Sequence, residues 1–383
     1  MTVSTWLELR TQEWPRVAGL CYLDHALRGP VPARARRAVA HAAGAVELGR
    51  VVRGDQAAAV EVARGALATL LGWDPAGLAF TTNTTTAVAL LAQGTRWSAG
   101  DRVVLHEDET PGNLLPWEAL RSRGVELEVL PSREGRLDLQ DLERACRARP
   151  PRWVSLAAIA LGTGDRRDVG AIRAICAEVG ARLCVDVAQA AGALDLRREL
   201  QGIDAIVGCG RKWLCGPPEA GFLGVRPGAL AELDVITAGG ASRLPDGSWV
   251  EGARRLEGGV LPILPLVGLA ESVSLVLELG PAAVEARILE LAAALRQLGL
   301  AAGWELRSPG GQSTWDHSAG DRGVSGIVHF ELPCEVPGLE AALEARGVVV
   351  RVQGRRLRAS PHAWTAEAEL ERLVREVAAL GGC

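Results

Sequence analysis

The chain has 383 residues, of which 48% are hydrophobic and 23% charged, and its formal net charge is −4 at pH 7. This length is enough for two domains, or for one large α/β domain with a smaller one appended, and the apolar fraction supports a sizeable core. The mildly acidic balance gives no reason to expect nucleic acid or an anionic membrane as a partner.

The sequence shows neither a targeting pattern nor a metal-binding pattern. Residues 1–10 carry charges where a signal peptide needs an apolar stretch, and no run of about 18 apolar residues predicts a membrane span. The eight cysteines lack paired CxxC spacing, which argues against a zinc site. We therefore expect a cytoplasmic protein without a bound metal.

From about residue 31 to 250, short apolar runs alternate with amphipathic helical stretches. This alternation predicts a mostly parallel sheet with helices on both faces, and such sheets bind ligands at the carboxyl ends of their strands. The predicted strands are Leu78–Thr81, Arg102–Leu105, Glu126–Leu130, Val154–Ala158, Leu183–Asp186, Ala205–Val207 and Gly221–Val225. The predicted helices include Thr84–Gln93, Leu115–Arg123, Leu139–Arg147 and Val169–Val179.

After Gly252 the alternation gives way to long helices followed by short strands, which predicts a smaller α+β domain. We place a large domain at residues 31–255 and the smaller one at residues 256–383, with residues 1–30 joining the smaller domain. The predicted elements of the smaller domain are helices Leu264–Leu279, Pro281–Leu298 and Thr365–Leu380 and strands Gly326–Phe330 and Gly347–Val352.

A cluster of hydroxyl side chains lies at the first predicted strand-to-helix junction, in the segment Phe80–Ala87. Thr84 and Thr85 begin the helix there, and the free N–H groups at a helix N-terminus suit a phosphate. Threonine and asparagine at this position can also serve only as helix caps. The downstream pair described next makes a phosphate site the better interpretation.

Asp186 closes an apolar strand, and Lys212 follows it between an arginine and a tryptophan. Enzymes that use pyridoxal 5′-phosphate (PLP) need such a pair, because the lysine forms a Schiff base and the acid keeps the pyridine nitrogen protonated. Gln189 stands just past the same strand end, where its amide could reach the cofactor or simply face solvent.

Two arginines are candidate anion ligands. Arg211 precedes Lys212 and could pair with a phosphate, or form a surface salt bridge. Arg358 is flanked by small and apolar residues, and a partly buried arginine usually has an anionic partner. That partner could be a substrate carboxylate or a structural carboxylate of the protein.

These segments resemble, in order, the motifs of the class V (fold type I) PLP-dependent family, which includes cysteine desulfurases, isopenicillin-N-epimerase-like proteins and C–S lyases. The resemblance runs nearly end to end. It implies the PLP-dependent transferase fold type I, with a mostly parallel seven-stranded sheet and a smaller C-terminal α+β domain. The matching segments are Tyr22–Ala26, Phe80–Ala87, Glu109–Trp117, Asp186–Gln189, Arg211–Pro217, Arg255–Gly259 and Arg358–His362.

The resemblance implies a role for each candidate residue. Lys212 and Asp186 would be catalytic, and the substrate would contact Arg358, His25 and Asn113. The family forms homodimers with shared active sites, and the loop lent to the neighbour would be Arg255–Val260. The implied cofactor ligands are Thr84, Thr85, Asp186, Gln189, Cys209 (at the position of the family's phosphate-loop serine), Arg211 and Lys212.

Departures from the family pattern narrow the function. Desulfurases carry a nucleophilic cysteine shortly before the carboxylate-binding arginine, but residues 351–357 contain none. Arg211 stands where desulfurases have histidine, as in a subgroup that contains ergothioneine-pathway C–S lyases and epimerase-like proteins. The family's ring-stacking residue aligns with Thr110, a polar cofactor contact with Ile159, and the threonine lent by the neighbouring subunit with Val260.

These observations favour a small-molecule substrate, namely an amino acid, and leave three functions open. The leading hypothesis is C–S cleavage by β-elimination from an S-substituted cysteine or its sulfoxide, rather than desulfurase chemistry. The first alternative is a class V aminotransferase or an amino-acid epimerase. The second is a PLP-binding pseudoenzyme with a weakened grip on the cofactor, which the departures at Thr110, Ile159 and Val260 would explain.

Overall fold

A computed structural model describes residues 3–47, 53–239, 242–309 and 323–381. The strands in chain order are β1 (Cys21–Tyr22), β2 (Leu78–Thr81), β3 (Arg102–His106), β4 (Glu126–Leu130), β5 (Trp153–Ala157), β6 (Arg182–Asp186), β7 (Ala205–Cys209), β8 (Gly221–Val225), β9 (Glu305–Leu306), β10 (Val328–Glu331), β11 (Val348–Val349), β12 (Arg351–Gln353) and β13 (Arg356–Ala359). The α-helices are α1 (Val3–Glu13), α2 (Ala33–Glu47), α3 (Arg53–Leu71), α4 (Thr84–Gly94), α5 (Pro111–Glu118), α6 (Leu139–Ala148), α7 (Val169–Val179), α8 (Pro227–Leu230), α9 (Ile263–Leu279), α10 (Pro281–Ala301), α11 (Leu339–Ala345) and α12 (Glu367–Ala379).

A seven-stranded sheet in the order β2-β8-β7-β6-β5-β3-β4 forms the centre of the large domain. Strand β8 is antiparallel to both of its neighbours, and the other strand pairs of this sheet are parallel. Strands β3, β5, β7 and β8 are buried at every position, because helices cover both faces and leave no polar side to the sheet. The predicted seven-stranded, mostly parallel sheet is confirmed.

The smaller domain has its own antiparallel sheet, in the order β12-β13-β10-β9. Part of the N-terminal segment packs against this domain, since β1 pairs in parallel with β11 and Leu23 packs in the same apolar cluster as Phe330 and Leu357. The assignment of residues 1–30 as a whole to this domain stays a prediction. The predicted strand Gly347–Val352 is two short strands, β11 and β12, which belong to different sheets.

Helix α9 belongs by its contacts to the large domain. It packs against α2 and α3, and Leu266, Leu269 and Val273 lie in the same apolar cluster as the large sheet. The predicted boundary after residue 255 puts this helix in the smaller domain, and that boundary stays a prediction. The apolar cluster of the smaller domain includes Leu291, Ala292 and Leu295 of α10. Among the described residues, only the α9–α10 pair has the length and apolarity to cross a membrane, and it is bent by 83°; no single helix has both.

Candidate active site

The carboxyl ends of β6 and β7 meet the start of α4 at one edge of the large sheet. Asp186 closes β6 and pairs in register with Val207 of β7, and Cys209 closes β7 opposite Gly221. A Cβ atom on Gly221 would lie 2.5 Å from the backbone nitrogen of Asn83, so only glycine lets β8 approach the start of α4 this closely. The backbone therefore brings the predicted phosphate segment and the predicted cofactor acid to the same end of the sheet.

The N-terminus of α4 presents a polar, accessible surface. The side chain of Asn83 caps the helix by accepting a hydrogen bond from the backbone N–H of Thr86 at 2.9 Å. Thr84 is partly buried and Thr85 is exposed, and neither backbone N–H has an acceptor among the described residues. Capping and phosphate binding are compatible here, because the cap occupies one donor and leaves two others free.

Asp186 is a buried carboxylate whose charge is offset by few groups of the protein. Its Oδ1 accepts one hydrogen bond, from the backbone N–H of Ala188 at 2.8 Å, and it has no ion-pair partner among the described residues. Burial raises its pKa to about 6, although Lys212 and the Ala188 N–H act in the opposite direction. A cationic group placed beside it would restore the ionised form.

Lys212 is partly buried in a loop held from both ends of the chain. The carbonyl of Arg211 accepts a hydrogen bond from Gly29 N–H at 2.8 Å, and the carbonyl of Trp213 accepts one from His362 Nε2 at 3.0 Å. Burial lowers the pKa of Lys212, and the cations of Arg211 and Arg358 lower it further, against Cys209 and Asp186. A lysine in this setting is a better nucleophile and base near neutral pH than a solvated one.

Gln189 is held between two parts of the protein. Its carbonyl oxygen accepts the indole N–H of Trp213 at 2.9 Å, so its amide nitrogen is the atom that donates to the carbonyl of Ala26 at 2.9 Å. One amide N–H remains for a ligand. The expected contact with the cofactor stays a prediction that this geometry permits.

Both candidate anion ligands contact the N-terminal segment. Arg211 donates to the carbonyl of Leu27 at 2.8 Å. Arg358 donates through Nη2 to Asp24 at 2.8 Å, with side-chain exposures of 11% and 6%. The buried Nε of Arg358 has no partner among the described residues, so the ion pair occupies only part of its guanidinium group. Arg358 can therefore form a structural ion pair with Asp24 and still have a donor available for a substrate carboxylate.

His25 lies fully buried beside this pair. Its Nδ1 donates to the carbonyl of Ser360 at 3.1 Å, and its ring lies 5.0 Å from that of His362. Burial holds the pKa of His25 well below its ordinary value and lowers that of His362 to about 4. Both rings are therefore neutral at physiological pH. The predicted contact of His25 with the substrate is not tested by these contacts and stays a prediction.

Asn113 lies away from any open surface. Its amide nitrogen donates to Glu109 at 2.7 Å, and its carbonyl oxygen accepts from the Ser155 hydroxyl at 2.8 Å. The side chain is fully buried and both of its polar atoms are used inside the protein. Its predicted role as a substrate ligand stays a prediction.

The three departures from the family pattern occupy different environments. Thr110 precedes α5, and its hydroxyl would lie 3.8 Å from a Cβ atom on Gly112, which in turn would lie 2.9 Å from the hydroxyl of Thr85. Ile159 is buried just after β5. Val260 is 91% exposed on the segment between α8 and α9. Thr110 therefore lies near Thr85, Ile159 lies in the apolar core, and Val260 is exposed.

The fold and these residues define a PLP-dependent enzyme scaffold of fold type I. The family described as aminotransferase class V matches residues 30–310, and the chain belongs to this family. Isopenicillin N epimerase of Streptomyces clavuligerus is 32% identical in an alignment 354 positions long, which covers 84% of this chain and 84% of that protein. A probable hercynylcysteine sulfoxide lyase of Mycobacterium tuberculosis is 32% identical in an alignment 284 positions long, which covers 72% of this chain and 68% of that protein.

Probable cysteine desulfurases are also among the similar proteins, at 33% identity over 53% of this chain for that of Methanothermobacter thermautotrophicus and 26% identity over 71% for that of Halalkalibacterium halodurans. The structure of the cystine C–S lyase C-DES, in complex with its reaction product cysteine persulfide, matches with a TM-score of 0.86. That match covers 96% of this chain and 99% of the other at 23% identity, and it supports the fold alone.

PLP is the cofactor of this family, and the residues present fit it. Asp186 is a buried carboxylate that forms no ion pair among the described residues, which suits a partner for a protonated ring nitrogen. The free N–H groups of Thr84 and Thr85 suit the phosphate, and the depressed pKa of Lys212 suits attack on the aldehyde carbon.

Sequence reasoning assigned no role to the residues that hold these groups. Asp24 pairs with Arg358, Trp213 fixes the amide of Gln189, and His362 holds the carbonyl of Trp213. All three lie inside the family motifs, so their position in those motifs could have indicated a role at the site. Arg167, which contacts Glu109, stands outside the motifs and carried no signal.

Proposed function

We propose that this protein is a PLP-dependent lyase that cleaves the Cβ–S bond of an S-substituted cysteine or its sulfoxide by β-elimination. When bound, PLP supplies an electron sink for the pair released at Cα. Asp186 would hold the ring nitrogen protonated, and Lys212 Nζ would hold the aldehyde carbon, then take the Cα proton once the substrate amine replaces it. The products would be a thiol or sulfenate, pyruvate and ammonia.

The observation that carries the choice of reaction is the hairpin β12–β13. Gln353 and Arg356 face each other in register, so only Gly354 and Arg355 join the strands that lead to Arg358. A two-residue turn is too short to carry a mobile cysteine loop, and residues 351–357 contain no cysteine. This supports elimination with a sulfur leaving group over transfer of sulfur to an enzyme thiol.

The similarity to a probable hercynylcysteine sulfoxide lyase supports the same reaction class. An epimerase is the second candidate, because isopenicillin N epimerase matches the larger share of the chain. The two reactions share removal of the Cα proton and differ in whether a group leaves from Cβ. Transamination stays an alternative, and a pseudoenzyme would be favoured only by failure to bind PLP.

A panel of S-substituted cysteines and their sulfoxides, given to the PLP-loaded protein, separates these functions. Pyruvate and ammonia in equal amounts support the lyase. Inversion at Cα in D₂O, with deuterium incorporated and no pyruvate, supports the epimerase. Free cysteine is included in the panel, and its conversion to alanine together with an enzyme-bound persulfide would identify a desulfurase and overturn the proposal. A protein that takes up no PLP would overturn every enzymatic function, and Lys212→Ala is the inactive control.

We also infer a homodimer in which the segment 255–260 of one subunit reaches the other. Large apolar side chains are exposed along the segment between α8 and α9, namely Ile236, Leu244, Trp249 and Val260. Glu257 anchors this segment to the sheet edge, since it pairs with buried Arg64 at 2.9 Å and accepts from Phe80 N–H at 2.8 Å. An exposed apolar stretch on an anchored loop favours a protein partner.

Light scattering tests this inference. The protein should have the mass of two chains, and Val260→Asp should shift it toward one chain and reduce PLP retention. A fully active monomer would overturn the inference. The cytoplasmic location expected from the sequence stays a prediction.

A further inference from the structure

A buried ion pair, Glu109–Arg167, lies behind the carboxyl end of β6. Glu109 accepts hydrogen bonds from the backbone N–H of Ala157 at 3.0 and 3.1 Å, and Arg167 donates to the carbonyl of the same residue at 3.1 Å. The two side chains also bond to each other and are 0% and 1% exposed. Together they satisfy both backbone polar groups of one residue.

Ala157 is the residue of β5 that pairs in register with Asp186. On its other side, Ala157 has no paired strand, because β3 pairs with β5 only at Val103–Trp153 and Val104–Val154. The N–H and carbonyl of Ala157 would otherwise be buried without partners, which costs about as much as a lost hydrogen bond for each group. The ion pair therefore takes the place of a strand at this point.

The pair is part of a larger buried network, in which Arg167 Nε and His106 Nε2 have no hydrogen-bond partner among the described residues. Asn113 donates to Glu109 at 2.7 Å, Ser155 donates to Asn113 at 2.8 Å, and Arg167 Nη2 lies 3.1 Å from His106 Nδ1. Each of these side chains has at least one hydrogen-bond partner in the network, so a change in one of them affects the others.

We propose that Glu109 and Arg167 are positioning residues that fix the end of β5 against β6 and thereby hold the Asp186 carboxylate for the ring nitrogen of the cofactor. Asn113 belongs to the same network and acts through Glu109 rather than by touching the substrate. The inference rests on the cofactor role of Asp186 and not on which reaction follows.

The pair also balances charge around Asp186. Its pKa is raised by burial first and by Glu109 to a lesser extent, and it is lowered by Lys212, the N–H of Ala188 and Arg167. Removing either member of the Glu109–Arg167 pair should therefore shift the titration of Asp186, and the two shifts should have opposite signs.

The test is carbon-13 NMR of aspartate carboxyl groups in the PLP-free protein, with Asp186→Asn to assign the signal. Glu109→Gln leaves Arg167 uncompensated and should lower the pKa of Asp186 by on the order of 1 unit. Arg167→Met should raise it by a similar amount. Both variants should bind PLP about tenfold more weakly in a spectroscopic titration, because a charge-assisted buried contact is lost.

Glu369→Gln is the matched control, since Glu369 forms a nearly buried pair with Arg10, with side-chain exposures of 10% and 9%. It should lower the melting temperature without moving the Asp186 titration or PLP affinity. The proposal is overturned if Glu109→Gln and Arg167→Met behave like this control.

If Arg167→Met fails to fold, Arg167→Lys decides the matter. This variant keeps the charge but loses the forked contact to Ala157 and Glu109, so PLP affinity should fall while the Asp186 titration stays in place. Unchanged PLP affinity would overturn the proposal. A wild-type protein that binds no PLP would instead overturn the proposed function and leave the titration result standing.

Discussion

Replacing Arg358 or Asp24 separates the two roles that the geometry allows for this ion pair. The atoms Nη2 and Oδ1 lie 2.8 Å apart and both side chains are nearly buried. Removing one partner of a buried pair destabilises a protein by about 3 kcal/mol, because the other charge is left without compensation. A charge-assisted hydrogen bond to a substrate carboxylate contributes about 2 kcal/mol, which corresponds to ~30-fold in binding.

Arg358→Gln should therefore lower the unfolding free energy by about 3 kcal/mol and raise the KM for the best substrate of the panel ~30-fold. Burial already raises the pKa of Asp24, and loss of Arg358 should raise it further. Asp24→Asn should also destabilise the fold, but its KM should be no higher than that of the wild type, because the competing carboxylate is gone and Arg358 remains.

Steady-state kinetics and urea unfolding of the two variants and of the double variant provide the measurements. A KM within about twofold of the wild type for Arg358→Gln, with stability lost, would show a purely structural pair and refute the reasoning; the expected change is an order of magnitude larger. Equal increases in KM for both variants would refute it as well, because Asp24 would then act on the substrate as strongly as Arg358.

Three further predictions concern the cofactor site. Lys212→Ala should abolish the visible absorbance of bound PLP without unfolding the protein; persistence of that band would show that another group holds the aldehyde. Asp186→Asn should increase the free energy of unfolding of the PLP-free protein by up to about 3 kcal/mol above pH 6. It should have no effect near pH 4, because the raised pKa means that Asp186 destabilises the folded protein only where it is ionised. Thermal unfolding at both pH values checks the sign, and equal effects would contradict it. Gly221→Ala should push β8 away from Asn83, lower stability by about 1–3 kcal/mol and weaken PLP binding, whereas unchanged calorimetric affinity would mean that the start of α4 does not hold the phosphate.

The large sheet was predictable because its strands are short buried runs bounded by turns. The predicted bounds of α5 were wrong, because its sequence combines residues that favour a helix with residues that break one. The helix expected at Leu115–Arg123 begins at Pro111 and ends at Glu118, followed by a 3₁₀ turn. Thr110-Pro111 is a good helix start, but Gly112 and Pro116 inside the helix obscure it.

Strand β1 shows the limit of local reasoning. It has two residues, and its partner β11 lies near the other end of the chain, so no periodic pattern of apolar residues predicts it. The same holds for the partners of the site residues. The family motifs identified Gln189, Arg211 and Arg358, but their contacts with Ala26, Leu27 and Asp24 depend on how two distant segments meet.

The loop that contains Lys212 is hydrogen-bonded to residues from the N-terminal and C-terminal parts of the chain. These contacts affect the order in which the parts of the protein fold during synthesis. The large sheet is complete once Val225 has been made, yet the carbonyls on either side of Lys212 wait for Gly29 and His362 to be in place. Because chains fold from the N-terminus as they are made, the scaffold should form first and its reactive lysine be fixed last. Capture of PLP would then report that the whole chain has folded, so incomplete chains would leave the cellular pool of this reactive aldehyde untouched.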